Sequence, residues 1–194
     1  LSAKAQAVIG EASSFHSGSL KYDPQTNSYE YNQGYQAGIG VGGNSAQPRF
    51  SASFSKIPQD GVKVSDPGTQ TSMTMKPEFG LASTKQIENR LLYPIKGQNA
   101  VKVYTLQTIG LKEDIVINSN SRNDLEYSYK LELETGTEAR LEPDGSVGIY
   151  GVGQALLGNV ATGSEKDTKL LQKARDNAPK TTLLYTIPPP YVKE

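Results

Sequence analysis

Four tyrosines lie close together near the start of the sequence, at Tyr22, Tyr29, Tyr31 and Tyr35, among Asn and Gln residues. A tyrosine ring combines apolar area with a hydroxyl group, which suits stacking on sugars and contacts with proteins. These four residues are therefore candidates for a binding surface. The alternative interpretation is that their rings cover one end of a β-sandwich. The chain has no tryptophan, the larger stacking platform, which weighs slightly against a sugar ligand.

Two turns carry an acidic residue that could coordinate a hard cation. Asp66 begins an Asp-Pro-Gly sequence, and Asp144 lies in the sequence Glu-Pro-Asp-Gly. Carboxylate and carbonyl oxygens are the ligands that Ca²⁺ prefers, so Asp66 and Asp144 are weak candidates for calcium. The spacing of an EF-hand loop is missing, however, and Pro-Asp-Gly is a common turn sequence. We therefore predict plain turns and no metal or other cofactor.

No residue pattern points to catalysis. His16 is the only histidine, and its neighbouring serines lack the Gly-x-Ser-x-Gly elbow of a serine hydrolase. A glycosidase would need two carboxylates on one side of a cleft. Glu113 and Asp114 are adjacent, so on a strand they face opposite ways. The remaining acids considered lie on the polar side of predicted strands, where solvated charges are expected: Glu126, Glu132, Glu138 and Glu142. We predict that the chain is not an enzyme.

Composition and charge exclude several classes of protein. A nucleotide site is not indicated by the glycine-rich residues 38–44, because no helix is predicted after them. Twenty basic and twenty acidic residues give no net charge, so no positive field favours nucleic acid. No run reaches the roughly 18 apolar residues of a membrane-spanning helix. The chain has no cysteine, which excludes disulfides and Cys-ligated zinc.

The elements that position these residues are predicted to be mainly strands. From Leu125 to Leu133, apolar and polar residues alternate strictly, as expected for a strand with one face in water. Turn signals at Thr135-Gly136 and Pro143-Asp144-Gly145 separate this run from two shorter ones, at 138–142 and 147–150. The pattern predicts an antiparallel meander. Further strands are expected at 28–31, 35–41, 49–55, 62–64, 71–75, 90–96, 101–107, 115–117 and 181–187.

The fold class that follows is an antiparallel, jelly-roll-like β-sandwich with one late helix, at about 164–178. Ser164 is followed three residues later by Asp167, close to a capping box, and Pro179 ends the pattern. Residues 1–14 are rich in helix formers and are a candidate for an N-terminal helix, the alternative being a loose leader. We predict an N-terminal segment at 1–47, a β-sandwich at 48–187 and a proline-rich exit linker at 188–194.

The second half of the chain, from about residue 75, resembles a module of large multidomain surface proteins predicted from the genomes of uncultured small-genome bacteria. The motifs are Arg90-Leu-Leu-Tyr-Pro-Ile-Lys-Gly97, Gly110-Leu-Lys-Glu-Asp-Ile-Val116, residues 138–151, Thr162-Gly-Ser-Glu-Lys-Asp167 and Ile187-Pro-Pro-Pro190. In such proteins the module often precedes lectin-like jelly-roll domains. The resemblance implies a secreted or cell-surface location and a scaffold role. It supplies no catalytic or ligand residues.

The function predicted from the sequence is a non-catalytic structural or assembly module of a secreted or cell-surface bacterial protein. Its expected partners are other proteins or further copies of the chain. The alternative is a carbohydrate-binding β-sandwich that recognises a glycan through the tyrosine-rich loops. No nucleic acid and no membrane span are expected.

Overall fold

The computed structural model describes residues 20–32, 50–66, 71–107, 110–118, 125–152, 164–176 and 181–192. Within these residues the protein is mainly β, with antiparallel strands in three sheets and one α-helix. The strands are β1 (Leu20–Asp23), β2 (Ser28–Asn32), β3 (Ser51–Ser55), β4 (Val62–Asp66), β5 (Thr71–Pro77), β6 (Lys85–Ile87), β7 (Arg90–Pro94), β8 (Ala100–Gln107), β9 (Gly110–Ile117), β10 (Tyr129–Leu133), β11 (Thr137–Leu141), β12 (Val147–Val152) and β13 (Thr181–Ile187). The helix is α1 (Glu165–Asp176), and a 3₁₀ turn spans Pro58–Asp60.

The chain divides into two compact units. The first unit contains the described residues up to Glu132, except Thr71. The second unit contains Thr71 and the described residues from Leu133 onward. This boundary lies inside the range 48–187, for which the sequence predicted one domain. Strands β1 and β2 belong to the predicted N-terminal segment 1–47, yet they form part of a sheet of the first unit.

The first unit contains a six-stranded sheet, in the order β1-β2-β3-β4-β5-β10, and a four-stranded sheet, in the order β6-β7-β8-β9. One hydrophobic cluster draws residues from both, including Phe54 and Val62 from the first sheet and Leu91 and Tyr104 from the second. The rings of Phe54 and Tyr104 lie 5.3 Å apart. Burying apolar faces of two sheets against each other is what stabilises a sandwich. The predicted mainly-β, antiparallel fold is therefore confirmed.

Jelly-roll connectivity is not confirmed. A jelly roll is built from two Greek keys, in which strands that are neighbours in space are often distant in sequence. Here strands that are consecutive in sequence lie side by side in both sheets of the first unit, and β10 is the one exception among the described strands.

The predicted meander of residues 125–150 is corrected in three respects. Residues Leu125–Ser128 are not strand, and β10 lies beside β5 in the six-stranded sheet instead of pairing with β11. The run at 138–142 has no buried apolar face, because its apolar residues Ala139 and Leu141 are exposed, with Leu141 at 77%. The β11–β12 hairpin itself is present, with Leu141 opposite Val147. Alternation therefore identified the strands and the turn at 143–145 but not the partner of β10.

The second unit contains a three-stranded sheet, in the order β11-β12-β13, and helix α1. Ile149 is its one fully buried large apolar residue among those described. The predicted cap of α1 is confirmed: the backbone N–H of Asp167 donates to Oγ of Ser164 (3.2 Å), whose hydroxyl donates to Oδ2 of Asp167 (2.6 Å). Leu170, an apolar residue of α1, is exposed.

Candidate functional site

The tyrosines of β1 and β2 form a row that runs from the core to the surface. Tyr22 lies opposite Tyr29 in the strand register, with ring centroids 5.3 Å apart, and Leu20 lies opposite Tyr31. Tyr22 is 40% exposed and Tyr29 is half-buried. The hairpin therefore presents one tyrosine ring to solvent, backed by a second.

The exposed ring is held by polar contacts. The hydroxyl of Tyr22 donates to Oδ1 of Asn27 (2.9 Å), and Nζ of Lys56 donates to the same hydroxyl (3.4 Å). The Lys56 ammonium also lies 4.8 Å from the centre of the Tyr22 ring. Such contacts hold the ring in place, with a cation over it and an amide beside its hydroxyl.

Tyr31, one of the four candidates for a binding surface, lies in the hydrophobic core, as the alternative interpretation of these rings expects. It is 7% exposed and packs on Phe50 with ring centroids 5.2 Å apart. Side chains two residues apart on a strand share a face, so Tyr29 and Tyr31 lie on the same face of β2. Tyr29 is half-buried near the edge of the core, and Tyr31 lies within it. Tyr35, His16, the glycine-rich residues 38–44 and the segment 1–14 lie outside the described residues.

The carboxylate of Asp144 stabilises its own turn. Its Oδ1 accepts hydrogen bonds from the backbone N–H (2.9 Å) and the hydroxyl (2.6 Å) of Ser146, and these bonds hold the pKa of Asp144 below its usual value. Asp66 ends β4, and the Pro-Gly that follows it lies outside the described residues. The described part of the chain brings no three acidic or histidine side chains together as a metal site.

The acids considered for catalysis are spread over separate pairs. Glu132 accepts from Lys76 (2.7 Å) and Lys130 (3.0 Å), and those contacts lower its pKa. Glu138 pairs with Arg140, and Glu142 accepts from the hydroxyl of Tyr150 (2.8 Å). Each of these carboxylates is engaged at a partly exposed position, as expected for a solvated face.

The most unusual group of ionisable side chains lies inside the first unit. Lys102 is 0% exposed, and its Nζ lies 3.0 Å from Oε2 of Glu113. The ammonium also lies against three rings, at 4.4 Å from the centroid of Tyr129, 4.5 Å from Tyr104 and 5.6 Å from Phe79. The hydroxyl of Tyr129 donates to Oε1 of Glu113. We call Lys102, Glu113, Tyr104, Tyr129 and Phe79 the lysine cage.

Strand register explains how the lysine cage forms. Lys102 lies opposite Ile115, and Tyr104 lies opposite Glu113, so Lys102 and Glu113 are diagonal neighbours on the same face of β8 and β9. Asp114 projects to the other face, as predicted, and pairs with Lys112 (3.1 Å). Adjacent acids on one strand are thus separated into a buried and a more exposed ion pair.

Burial dominates the acid–base properties of the lysine cage. Desolvation lowers the pKa of Lys102, and the negative charge of Glu113 opposes this. Desolvation also raises the pKa of Tyr104 and of Tyr129, and Glu113 raises both further. Nearby Tyr93 has its pKa raised to about 12, mainly by burial. Both tyrosines of the cage therefore stay protonated and can act as hydrogen-bond donors at neutral pH.

Sequence reasoning missed Lys102, although a signal was present. In β8, the residues Ala100, Tyr104 and Leu106 alternate on the buried face, and Lys102 lies among them. A lysine at an apolar position of a central strand predicts a buried cation that needs a partner. The partner, Glu113, could not be identified without the register of β8 and β9.

Within the described residues, no helix has the length and hydrophobicity needed to cross a bilayer. Comparison with known proteins finds no match for this chain, whether among family models, curated proteins or solved structures.

Proposed function

We propose that the chain is a non-catalytic structural and assembly module of a secreted or cell-surface bacterial protein, and that two copies associate through the edge of β13. The observation that carries this proposal is the composition of that edge. Thr181–Ile187 reads Thr-Thr-Leu-Leu-Tyr-Thr-Ile and has no charged residue and no proline. An uncharged edge strand of seven residues is a template for pairing with another strand.

Other edges of the described sheets carry charges that discourage such pairing. The six-stranded sheet ends in β1 and β10, the four-stranded sheet in β6 and β9, and the three-stranded sheet in β11 and β13. All of these except β13 contain lysine, arginine or acidic residues, among them Lys21, Lys85, Lys112, Lys130 and Arg140. Charged edges are a common protection against unwanted pairing. The contrast favours β13 as the edge through which copies meet.

Two identical edge strands can pair antiparallel across a two-fold axis. Backbone N–H and C=O groups of β13 in one copy then bond to those of β13 in the second copy, which is the mode of β-strand addition. Exposed Leu183 would be partly covered by side chains of the second copy in such a pair. The scaffold role and the cell-surface location implied by the resemblance of the second half are consistent with a module that assembles.

Sedimentation velocity over a range of protein concentrations tests the proposal. We expect a dimer at high concentration, because the β13 edges pair. The double variant Thr182→Lys/Thr186→Lys places two positive charges on the edge, which is expected to weaken association at least about tenfold. Leu141→Lys is the matched control, since it adds a charge to β11, the opposite edge of the same sheet. A wild-type protein that stays monomeric at high concentration would exclude the proposal, as would equal weakening by the control.

The second candidate function is carbohydrate binding, and the exposed ring of Tyr22 favours it. This ring is backed by Tyr29 and flanked by Lys56 and Asn27, so an apolar face lies beside hydrogen-bonding groups. A sugar presents the complementary arrangement, with an apolar C–H face edged by hydroxyl groups.

Replacing Tyr22 by serine separates binding from stability. We expect the free energy of unfolding to change by less than about 1 kcal/mol, because the ring is 40% exposed. Binding on a glycan array, measured for the wild-type protein, is expected to be lost. Tyr191→Ser is the control, since Tyr191 is also exposed but lies in the proline-rich segment. An array that shows no wild-type binding, or binding unaffected by Tyr22→Ser, would exclude this candidate.

A further inference from the structure

The lysine cage brings an amine and a carboxylate into contact in a place that water does not reach. Nζ of Lys102 and Oε2 of Glu113 are both buried, and they lie 3.0 Å apart. The aromatic rings of Phe79, Tyr104 and Tyr129 line the same space. Such proximity replaces an encounter in solution by a fixed geometry, which can lower the barrier of a reaction between the two groups.

As an ion pair, Lys102 and Glu113 have incomplete hydrogen bonding. An ammonium group has three N–H donors, yet among the described residues neither Nζ of Lys102 nor Oε2 of Glu113 makes a hydrogen bond of good geometry. The attraction of the rings compensates only in part. Buried charges whose hydrogen bonds are incomplete are costly, because desolvation exceeds the Coulomb attraction.

We propose that Lys102 and Glu113 are joined by an intramolecular isopeptide bond, formed by condensation of the lysine amine with the glutamate carboxylate. Nζ forms a bond to Cδ of Glu113, and the bond between Cδ and Oε2 breaks. Two protons of the ammonium leave with Oε2 as one water molecule, and one N–H remains on the amide. The ammonium and carboxylate charges cancel, so the step needs no oxidant, reductant or other reactant.

The surrounding groups favour this step. In water, an amine and a carboxylic acid remain separate largely because both are ionised and solvated. Burial removes that solvation and lowers the pKa of Lys102, which favours the uncharged, nucleophilic amine. The hydroxyl of Tyr129 donates to Oε1, the oxygen that stays on the carbon and becomes negative in the tetrahedral intermediate. The product leaves neither of these two side chains charged.

The bond would tie β9, an edge strand, covalently to β8. Because Lys102 and Glu113 are diagonal neighbours on one face, the crosslink spans two paired strands without changing their register. It would prevent β9 from separating from the sheet while the bond is intact. This property goes beyond assembly and does not depend on it.

Intact mass spectrometry of the full chain, folded and then denatured, tests the proposal. We expect a mass below that of the sequence by one water molecule. A protease digest is expected to contain one branched species that joins the peptides with Lys102 and Glu113. Lys102→Met and Glu113→Ala are each expected to restore the full mass. Lys112→Met is the matched control and should keep the loss of water, because Lys112 pairs with Asp114 on the opposite face of the same strands.

Two outcomes would overturn the proposal. The first is a folded wild-type chain with the full mass of its sequence, a result that requires no variant to fold. The second is a loss of water that persists in Lys102→Met, which would place it elsewhere, for example at a cyclised Asp-Gly such as Asp60-Gly61 or Asp144-Gly145.

Discussion

Replacing Gly61 by alanine is expected to lower the free energy of unfolding of the first unit by at least about 2 kcal/mol. Gly61 follows the 3₁₀ turn at Pro58–Asp60 and has φ of 78° and ψ of −151°, a conformation that is essentially restricted to glycine. A Cβ atom added there would lie 2.1 Å from the carbonyl oxygen of Met75 and 2.9 Å from Cα of Lys76. Both are backbone atoms of β5, so no side-chain rotation can relieve the clash.

Gly97→Ala is the matched control for this prediction. Gly97 also has a positive φ, of 74°, but nothing lies within 4 Å of a Cβ added there. Its replacement by alanine is expected to lower the free energy of unfolding by about 1–2 kcal/mol, because of backbone strain alone. Urea unfolding followed by circular dichroism measures both, with the midpoint falling further for Gly61→Ala. Equal midpoints for the two variants would show that the close approach of β5 does not determine the effect.

The strands that could be predicted are those whose signal is local. β13 was expected at 181–187 and extends from Thr181 to Ile187. In β3, Ala52 and Phe54 alternate with serines, and the two apolar residues are buried as expected. The cap of α1 was also predictable, because Ser164 and Asp167 interact within a single turn. In each case the residues that determine the structure lie within a few positions of one another.

The prediction errors concern strands whose neighbours in the sheet are distant in sequence. β10 has the clearest alternation in the chain, but alternation defines two faces and not the neighbouring strand. Its position beside β5 depends on contacts between segments about 55 residues apart, which no local pattern records. β1 and β6 were missed because they are short, with four and three residues, and contain charged residues.

The candidate sites divide in the same way. The tyrosine-rich hairpin was recognisable from composition, and the structure shows that only part of it faces solvent, because Tyr31 packs on Phe50. The lysine cage required knowledge of the register between β8 and β9, since Lys102 and Glu113 become neighbours only when those strands pair. The exposed tyrosine site could thus be recognised from residue type, whereas the buried lysine cage depends on how distant strands pair.

Phe54→Ala is expected to destabilise the first unit by about 3–5 kcal/mol. Phe54 is 1% exposed and lies at the centre of the six-stranded sheet, opposite Tyr29 on β2 and Val62 on β4. Its ring also contacts Tyr104 of the four-stranded sheet, 5.3 Å away. Truncation removes a large buried apolar surface and leaves a cavity between two sheets whose backbones are held by hydrogen bonds, so collapse around it is restricted.

The measurement is again the urea midpoint, with the slope of the transition checked to be unchanged. Ile57→Ala is the control, since Ile57 lies three residues away and is 54% exposed; its loss is expected to change stability by less than about 0.5 kcal/mol. A cost below about 1 kcal/mol for Phe54→Ala would contradict a shared core between the two sheets. The proposed Lys102–Glu113 bond would hold two strands of one sheet and would not join the two sheets. A fall of about 3–5 kcal/mol in the free energy of unfolding of Phe54→Ala, with that bond intact, would therefore show that apolar packing stabilises the sandwich independently of the bond.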